Sequence, residues 1–127
     1  MKLEYRNLTK EPGRTYSDLV VIDGRYLVLS GLVSLDPQTK KAADGSIAFQ
    51  TKRVLEELKE ILEENGSDMD HVIRIEVVLK DFSERDEMNA EYVKHFRPDR
   101  LPARLCFGDV SLADGLKVEM MATAAIK

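Results

Sequence analysis

Two strand-like segments near the C-terminus carry the groups best suited to chemistry on a small charged molecule. Leu101-Pro-Ala-Arg104-Leu-Cys106 presents a guanidinium, and Leu116-Lys-Val-Glu119-Met-Met-Ala122 presents a carboxylate. Arginine can hold a substrate carboxylate through two parallel, charge-assisted hydrogen bonds. A carboxylate in a partly dry site can have its pKa raised toward neutrality and then polarise a water or relay a proton. Each residue has a structural alternative: Arg104 in an ion pair with Glu119 or Asp109, Glu119 in partnership with a lysine or arginine. Cys106 is the single cysteine, and neither His71 nor His95 lies near it in sequence, which argues against an activated thiol. His71 is expected to start a strand and His95 to end a helix, where a cation is favourable, so both read as structural rather than metal-binding. Ser30-Gly31 falls at a strand end, where glycine lets backbone approach a ligand closely. Lys94, Arg97, Arg100 and Arg104 form a basic run, either a funnel for anions or a solvated loop.

These groups need a frame, and the hydrophobic pattern predicts one. Leu116 to Ile126 alternates, with Leu116, Val118, Met120, Ala122, Ala124 and Ile126 on one face and Lys117, Glu119, Met121, Thr123 and Ala125 on the other. In Ala103 to Phe107, Leu105 and Phe107 oppose Arg104 and Cys106. With the apolar sets toward the helices, Arg104, Cys106 and Glu119 are expected to share the opposite face. Leu3 to Leu8 is a weak opening strand. Leu19–Ile22 and Tyr26–Leu29 flank Asp23-Gly24-Arg25, a strong hairpin signal. Val20, Ile22, Leu27 and Leu29 read as one side of that hairpin and Leu19, Val21, Tyr26 and Val28 as the other. Both sides are apolar, so the open face calls for cover by identical subunits. Val72 to Lys80 has Ile73, Ile75, Val77 and Leu79 on one side. Ser46 to Asn65 reads as a helix burying Ile47, Val54, Leu55, Leu58, Ile61 and Leu62, capped by Ser46 and stopped at Asn65-Gly66. Its charged residues, Arg53 and Glu57 among them, read as a solvated face. A second helix from Ser83 buries Met88, Tyr92 and Phe96 and ends before Pro98. The order β-β-β-α-β-α-β-β predicts an α+β layer, a mixed sheet with both helices on one face.

The chain has 127 residues, the size of one domain over 1–127. Charged residues are 33% of it, with 19 Lys+Arg against 23 Asp+Glu and a net charge of −4. That balance offers no general attraction to nucleic-acid phosphates. Apolar runs reach only four residues, too short to span a membrane, and the start MKLEYRNLTK lacks an apolar signal region. One cysteine excludes an intramolecular disulfide and a multi-cysteine metal site. A cytoplasmic home is the expectation.

Leu101-Pro-Ala-Arg-Leu-Cys106 followed by Leu116-Lys-Val-Glu-Met-Met-Ala122 resembles the C-terminal signature of the RidA/YjgF family, the reactive intermediate deaminases historically called L-PSP endoribonucleases. The likeness extends through Tyr16, Ser30-Gly31, Asp36-Pro-Gln-Thr39, Gln50 and Asn89-Ala90, covering about residues 16 to 126. It implies a chorismate-mutase-like α+β domain in a homotrimer, with ligand sites between subunits. Four features depart from the better-known members: Arg14-Thr15-Tyr16 in place of Gly-Pro-Tyr, a shorter segment from Asn89 to Arg104, Met121 at a second glutamate position, and Leu32 where glutamine is common. These bear on which substrate is preferred.

The resemblance implies a hydrolytic deaminase of short 2-imino acids and their 2-enamine tautomers, giving 2-keto acids and ammonia. Arg104 anchors the carboxylate, backbone around Cys106 and Gly31 orients the imine, and Glu119 helps water add to the C=N carbon. Tyr16, Ser30 and Asn89 are implied as pocket-lining groups. No metal or organic cofactor is called for, because a protonated imine is already electrophilic, and no nucleic-acid or membrane partner is expected. The alternative is a non-catalytic trimer that binds small carboxylates. A ribonuclease is disfavoured by net acidity, the absence of Trp and the lack of an acid–base histidine pair.

Overall fold

The Asp23-Gly24 step sets the parity of the hairpin. Both residues take left-handed φ, 53° and 63°, and the Arg25 N–H closes the turn on the Ile22 carbonyl at 2.9 Å. The computed structural model, which describes residues 1–127, pairs β2 (Leu19–Ile22) with β3 (Tyr26–Leu29) so that Ile22 faces Tyr26 and Leu19 faces Leu29. Leu19, Val21, Leu27 and Leu29 are therefore the buried side, and Val20, Ile22, Tyr26 and Val28 lie on the open face. This corrects the expected grouping. A turn of three residues pairs even positions with even, and a change of one residue in register exchanges a strand's two faces.

β1 (Leu3–Arg6) pairs with β2, and β3 pairs with β7 (Val118–Ala125) at the middle of the sheet. A short β4 (Leu32–Val33), absent from the sequence expectation, also pairs with β7, and β5 (Val72–Leu79) and β6 (Ala103–Gly108) complete the order β1-β2-β3-β7-β5-β6. Only β5 and β6 run parallel, joined by α2 (Arg85–Tyr92). The result is the mixed α+β layer that the pattern predicts. Between the pairs Val28–Thr123 and Leu32–Met120 the β3–β4 side has one residue more than β7, a bulge at Ser30-Gly31.

Along α1 (Ile47–Glu64), the Ser46 hydroxyl accepts the Phe49 N–H at 3.1 Å and Gly66 turns the chain away with φ 85°. The expected stripe of α1 is buried, as are Met88, Tyr92 and Phe96. These side chains form one core with Leu27, Ile75, Val77, Leu79, Met120 and Ala122, so both helices cover the same sheet face. The four-residue spacing of Met88, Tyr92 and Phe96 is met by a short α2 between two 3-10 turns, at Phe82–Glu84 and Val93–His95, rather than by one continuous helix from Ser83. A bulge between Val72 and Arg74 pushes Ile73 out of the core and Val72 into it, against expectation. Arg53 and Glu57 also depart from their solvated reading, being 8% and 7% exposed. The loop before α1 wraps that side of the helix: Arg53 Nε donates to the Leu35 carbonyl at 2.8 Å, and Lys40 pairs with Glu57 at 3.1 Å. No helix is long and apolar enough to cross a membrane.

Candidate active site

Glu119 stands on the open face of β7, the second residue of this internal strand. Its cross-strand neighbours are Val33 on β4 and Val78 on β5, so the carboxylate stands in an apolar row. Beside it the bulge leaves a hollow of about 380 Å³ lined by Tyr16, Ser30, Gly31, Val33, Ala113 and Glu119. Gly31 is needed there: a Cβ would fall on Glu119 Oε2 and within 2.9 Å of its Cδ. Ser30 is committed to the frame, its N–H donating to the Asp18 carbonyl at 2.9 Å and its hydroxyl to the Ser17 carbonyl at 2.6 Å. The hollow contains no cationic side chain.

Arg104 and Cys106 lie elsewhere. The parallel register pairs Arg104 with Ile75 and Cys106 with Val77, both fully buried on the helix side. Arg104 and Cys106 therefore face the helices, while Leu105 and Phe107, 46% and 43% exposed, face the open side with Glu119. This overturns the expectation that Arg104, Cys106 and Glu119 share one face. The two faces of β6 are both partly apolar, so its own pattern cannot choose between them. Its neighbour β5 chooses, by register.

The Arg104 guanidinium lies 4.7 Å from the centroid of the Tyr92 ring. No carboxylate reaches it, and Asp109, one expected partner, instead accepts the Phe82 N–H at 3.0 Å. Tyr92 Oη and Asn89 Oδ1, one turn apart on α2, are buried without a hydrogen-bond partner. Burial pushes the Tyr92 hydroxyl up to about 12, with the positive charge of Arg104 working against it, so it keeps its proton at neutral pH. Because β6 is the last strand, half of its backbone polar groups point away from the sheet. Cys106 is partly buried and packs its side chain against the core.

Two candidate half-sites result. One, on the open face, has Tyr16, Ser30, Gly31 and Glu119; the other, on the helix side of the sheet edge, has Arg104, Asn89, Tyr92 and the backbone at Cys106. Strands β6 and β7 are about 10 Å apart across β5, taking about 4.8 Å per strand. With their side chains on opposite faces, Arg104 and Glu119 of one chain cannot hold the same small molecule. Tyr92 was legible only as a core residue; its place three residues after Asn89 is the signal that it shares Asn89's surface. His71 and His95 enter neither half-site, and they sit on Asp68 at 2.6 Å and Glu91 at 2.7 Å.

The family model described as endoribonuclease L-PSP matches residues 8–126. A RutC family protein of Pyrococcus abyssi is 34% identical over 90% of this chain and 88% of its own length. The human 2-iminobutanoate/2-iminopropanoate deaminase is 31% identical over 91% of this chain and 84% of its own. A crystal structure of a YjgF family member from Neisseria meningitidis superposes with a TM-score of 0.83 at 31% identity, covering 100% of this chain and 97% of that one.

Proposed function

Because the chain belongs to the endoribonuclease L-PSP family, also called RidA/YjgF, we propose that it hydrolyses short 2-imino acids and their 2-enamine tautomers to 2-keto acids and ammonia. The observation that carries this reading is the pair of half-sites of opposite charge. Arg104 is a guanidinium without a carboxylate, and Glu119 is a carboxylate in a hollow without a cation. A 2-iminium acid is their complement, negative at one end and positive at the other.

In this reading the active site forms between copies of the chain, Arg104 from one and Glu119 from the next. The open sheet face supports it, because Tyr26, Val28, Leu105 and Phe107 are each about 40% exposed or more along one surface. A closed homotrimer is the assembly we assign. Arg104 grips the carboxylate and backbone at Cys106 orients the C=N bond. Glu119 accepts a proton from water as its oxygen bonds to the imine carbon. Protonated Glu119 returns that proton to the carbinolamine nitrogen, and ammonia leaves as the hydroxyl gives its own proton to the carboxylate, forming the C=O of the keto acid. Positioning together with one polarising group suffices for a barrier this modest.

The test generates imines in situ with an amino-acid oxidase and follows ammonia and keto-acid release with and without the protein. Faster release supports the assignment. Binding of a small carboxylate with no change in release identifies a carboxylate-binding module instead. The ribonuclease in the family's name finds no acid–base pair here, since each histidine is bonded to its own carboxylate outside both half-sites.

A further inference from the structure

Tyr16 reaches the Glu119 hollow from outside the sheet. It lies in the loop between β1 and β2 and is 63% exposed. A loop residue so open to water has no fixed ring position unless something nearby supplies one. Arg14 does. Its side chain is only 13% exposed, although it follows a left-handed turn at Gly13 in the same loop.

The guanidinium gathers several separate contacts. Nη2 pairs with Asp18 Oδ1 at 2.7 Å, Nε donates to the Tyr16 carbonyl at 3.3 Å, and Nη1 donates to the Thr9 carbonyl at 3.3 Å. Its central carbon stands 5.4 Å from the Tyr16 ring centroid. Asp18 passes the constraint onward. Its Oδ2 accepts the Leu8 N–H at 2.8 Å, and its carbonyl accepts the Ser30 N–H at 2.9 Å. One fork thus ties the loop to itself, to the Tyr16 ring and, through Asp18, to the bulge that carries Gly31.

We propose that Arg14 is a positioning residue of the active site, holding Tyr16 against the Glu119 hollow through this fork. The inference rests on reading that hollow as the imine-hydrolysis site. Arg14 touches no reacting atom and acts through Tyr16, with Asp18 as the anchor that ties the fork to the strands. Lysine cannot replace it, because one ammonium cannot reach a carboxylate and two carbonyls while lying over a ring.

The experiment compares wild type, Arg14→Met, Arg14→Lys, Tyr16→Ala and the Arg14→Met/Tyr16→Ala double variant in two measurements. Amide hydrogen exchange reads the Leu8 and Ser30 N–H groups, and imine hydrolysis reads kcat/KM. Arg14→Met should speed exchange at both amides and lower kcat/KM about tenfold, within the hundredfold that a 1 Å misplacement can cost. Arg14→Lys should restore little of either. In the Tyr16→Ala background the same change should lower kcat/KM no further. Unchanged exchange overturns the proposal whatever the activity, as does faster exchange with unchanged turnover. An equal loss in both backgrounds also overturns it, because Arg14 then acts on the fold and not through Tyr16. A wild type without imine hydrolysis sinks the reading of the site, and exchange at Leu8 and Ser30 still decides whether Arg14 holds the loop.

Discussion

Replacing Arg104 separates an anchor for substrate from a strut of the fold. Within the chain the guanidinium has the Tyr92 ring beneath it and no carboxylate. Its removal therefore leaves no buried charge without a partner, and the loss to stability is that of a cation–π contact, about 0.5–1 kcal/mol at a partly exposed site. The loss to catalysis is larger. Hydrogen bonds to charged groups contribute about 1.5–3 kcal/mol each. For a partly exposed guanidinium gripping with two, the low end is about 3 kcal/mol, which solvent screening reduces to about 1.5–3 kcal/mol, or roughly ten- to a hundredfold in kcat/KM. Arg104→Lys keeps the charge without the planar fork and should fall nearer alanine than wild type. Imine hydrolysis and melting temperature are measured together on both variants. Full activity in a folded Arg104→Ala protein refutes the anchor and the deaminase assignment with it. A collapse in melting temperature with an active folded remainder refutes the unpaired geometry. The placement of Arg104 also makes mixing informative. If a site takes Arg104 from one copy and Glu119 from the next, refolding Arg104→Ala with Glu119→Gln in equal amounts regenerates about one intact site in four. No recovery from two separately inactive, correctly assembled variants shows that both residues serve from one chain.

Glu119→Gln should keep assembly and ligand binding while lowering the hydrolysis rate at least about a hundredfold, the lower range for general acid–base groups; an unchanged rate removes Glu119 from the mechanism. Gly31→Ala should displace the Glu119 carboxylate without moving backbone, because the added Cβ meets only the end of that side chain. Hydrolysis should therefore fall while the melting temperature stays near wild type, and a variant as active as wild type shows that the carboxylate is not held where the bulge places it. Light scattering at micromolar concentration should give three chain masses, and a clean monomer removes the shared site.

The elements were legible in the sequence where one face of the pattern is buried and the other wet. α1 is such a case, with its apolar stripe, its Ser46 cap and its stop at Asn65-Gly66, and so is β7, whose even-numbered residues all reach the core. The pattern lost its power where both faces are apolar. In the β2–β3 hairpin parity depended on whether the turn held two residues or three, which Asp23-Gly24-Arg25 does not reveal by composition. Arg53 and Glu57 escaped for another reason: their cover comes from the loop around Leu35 and Lys40, invisible to helical periodicity.

β6 posed the same ambiguity at the place where it mattered most. Arg104, Leu105, Cys106 and Phe107 alternate, and the rule that larger apolar side chains face the helices puts Leu105 and Phe107 inward. The pairing with Ile75 and Val77 puts Arg104 and Cys106 there instead. The rule fails because Leu105 and Phe107 belong to a face that copies of the chain are proposed to cover, and hydrophobicity does not say which neighbour will do the covering. Arginine is tolerated on the helix side because β6 is the last strand: its stem lies at the rim, and its charge rests on the face of Tyr92 rather than in the core. The residues proposed to carry the chemistry were therefore readable as types and positions. Their division into two half-sites was not, because it follows from one parallel register that no local pattern encodes.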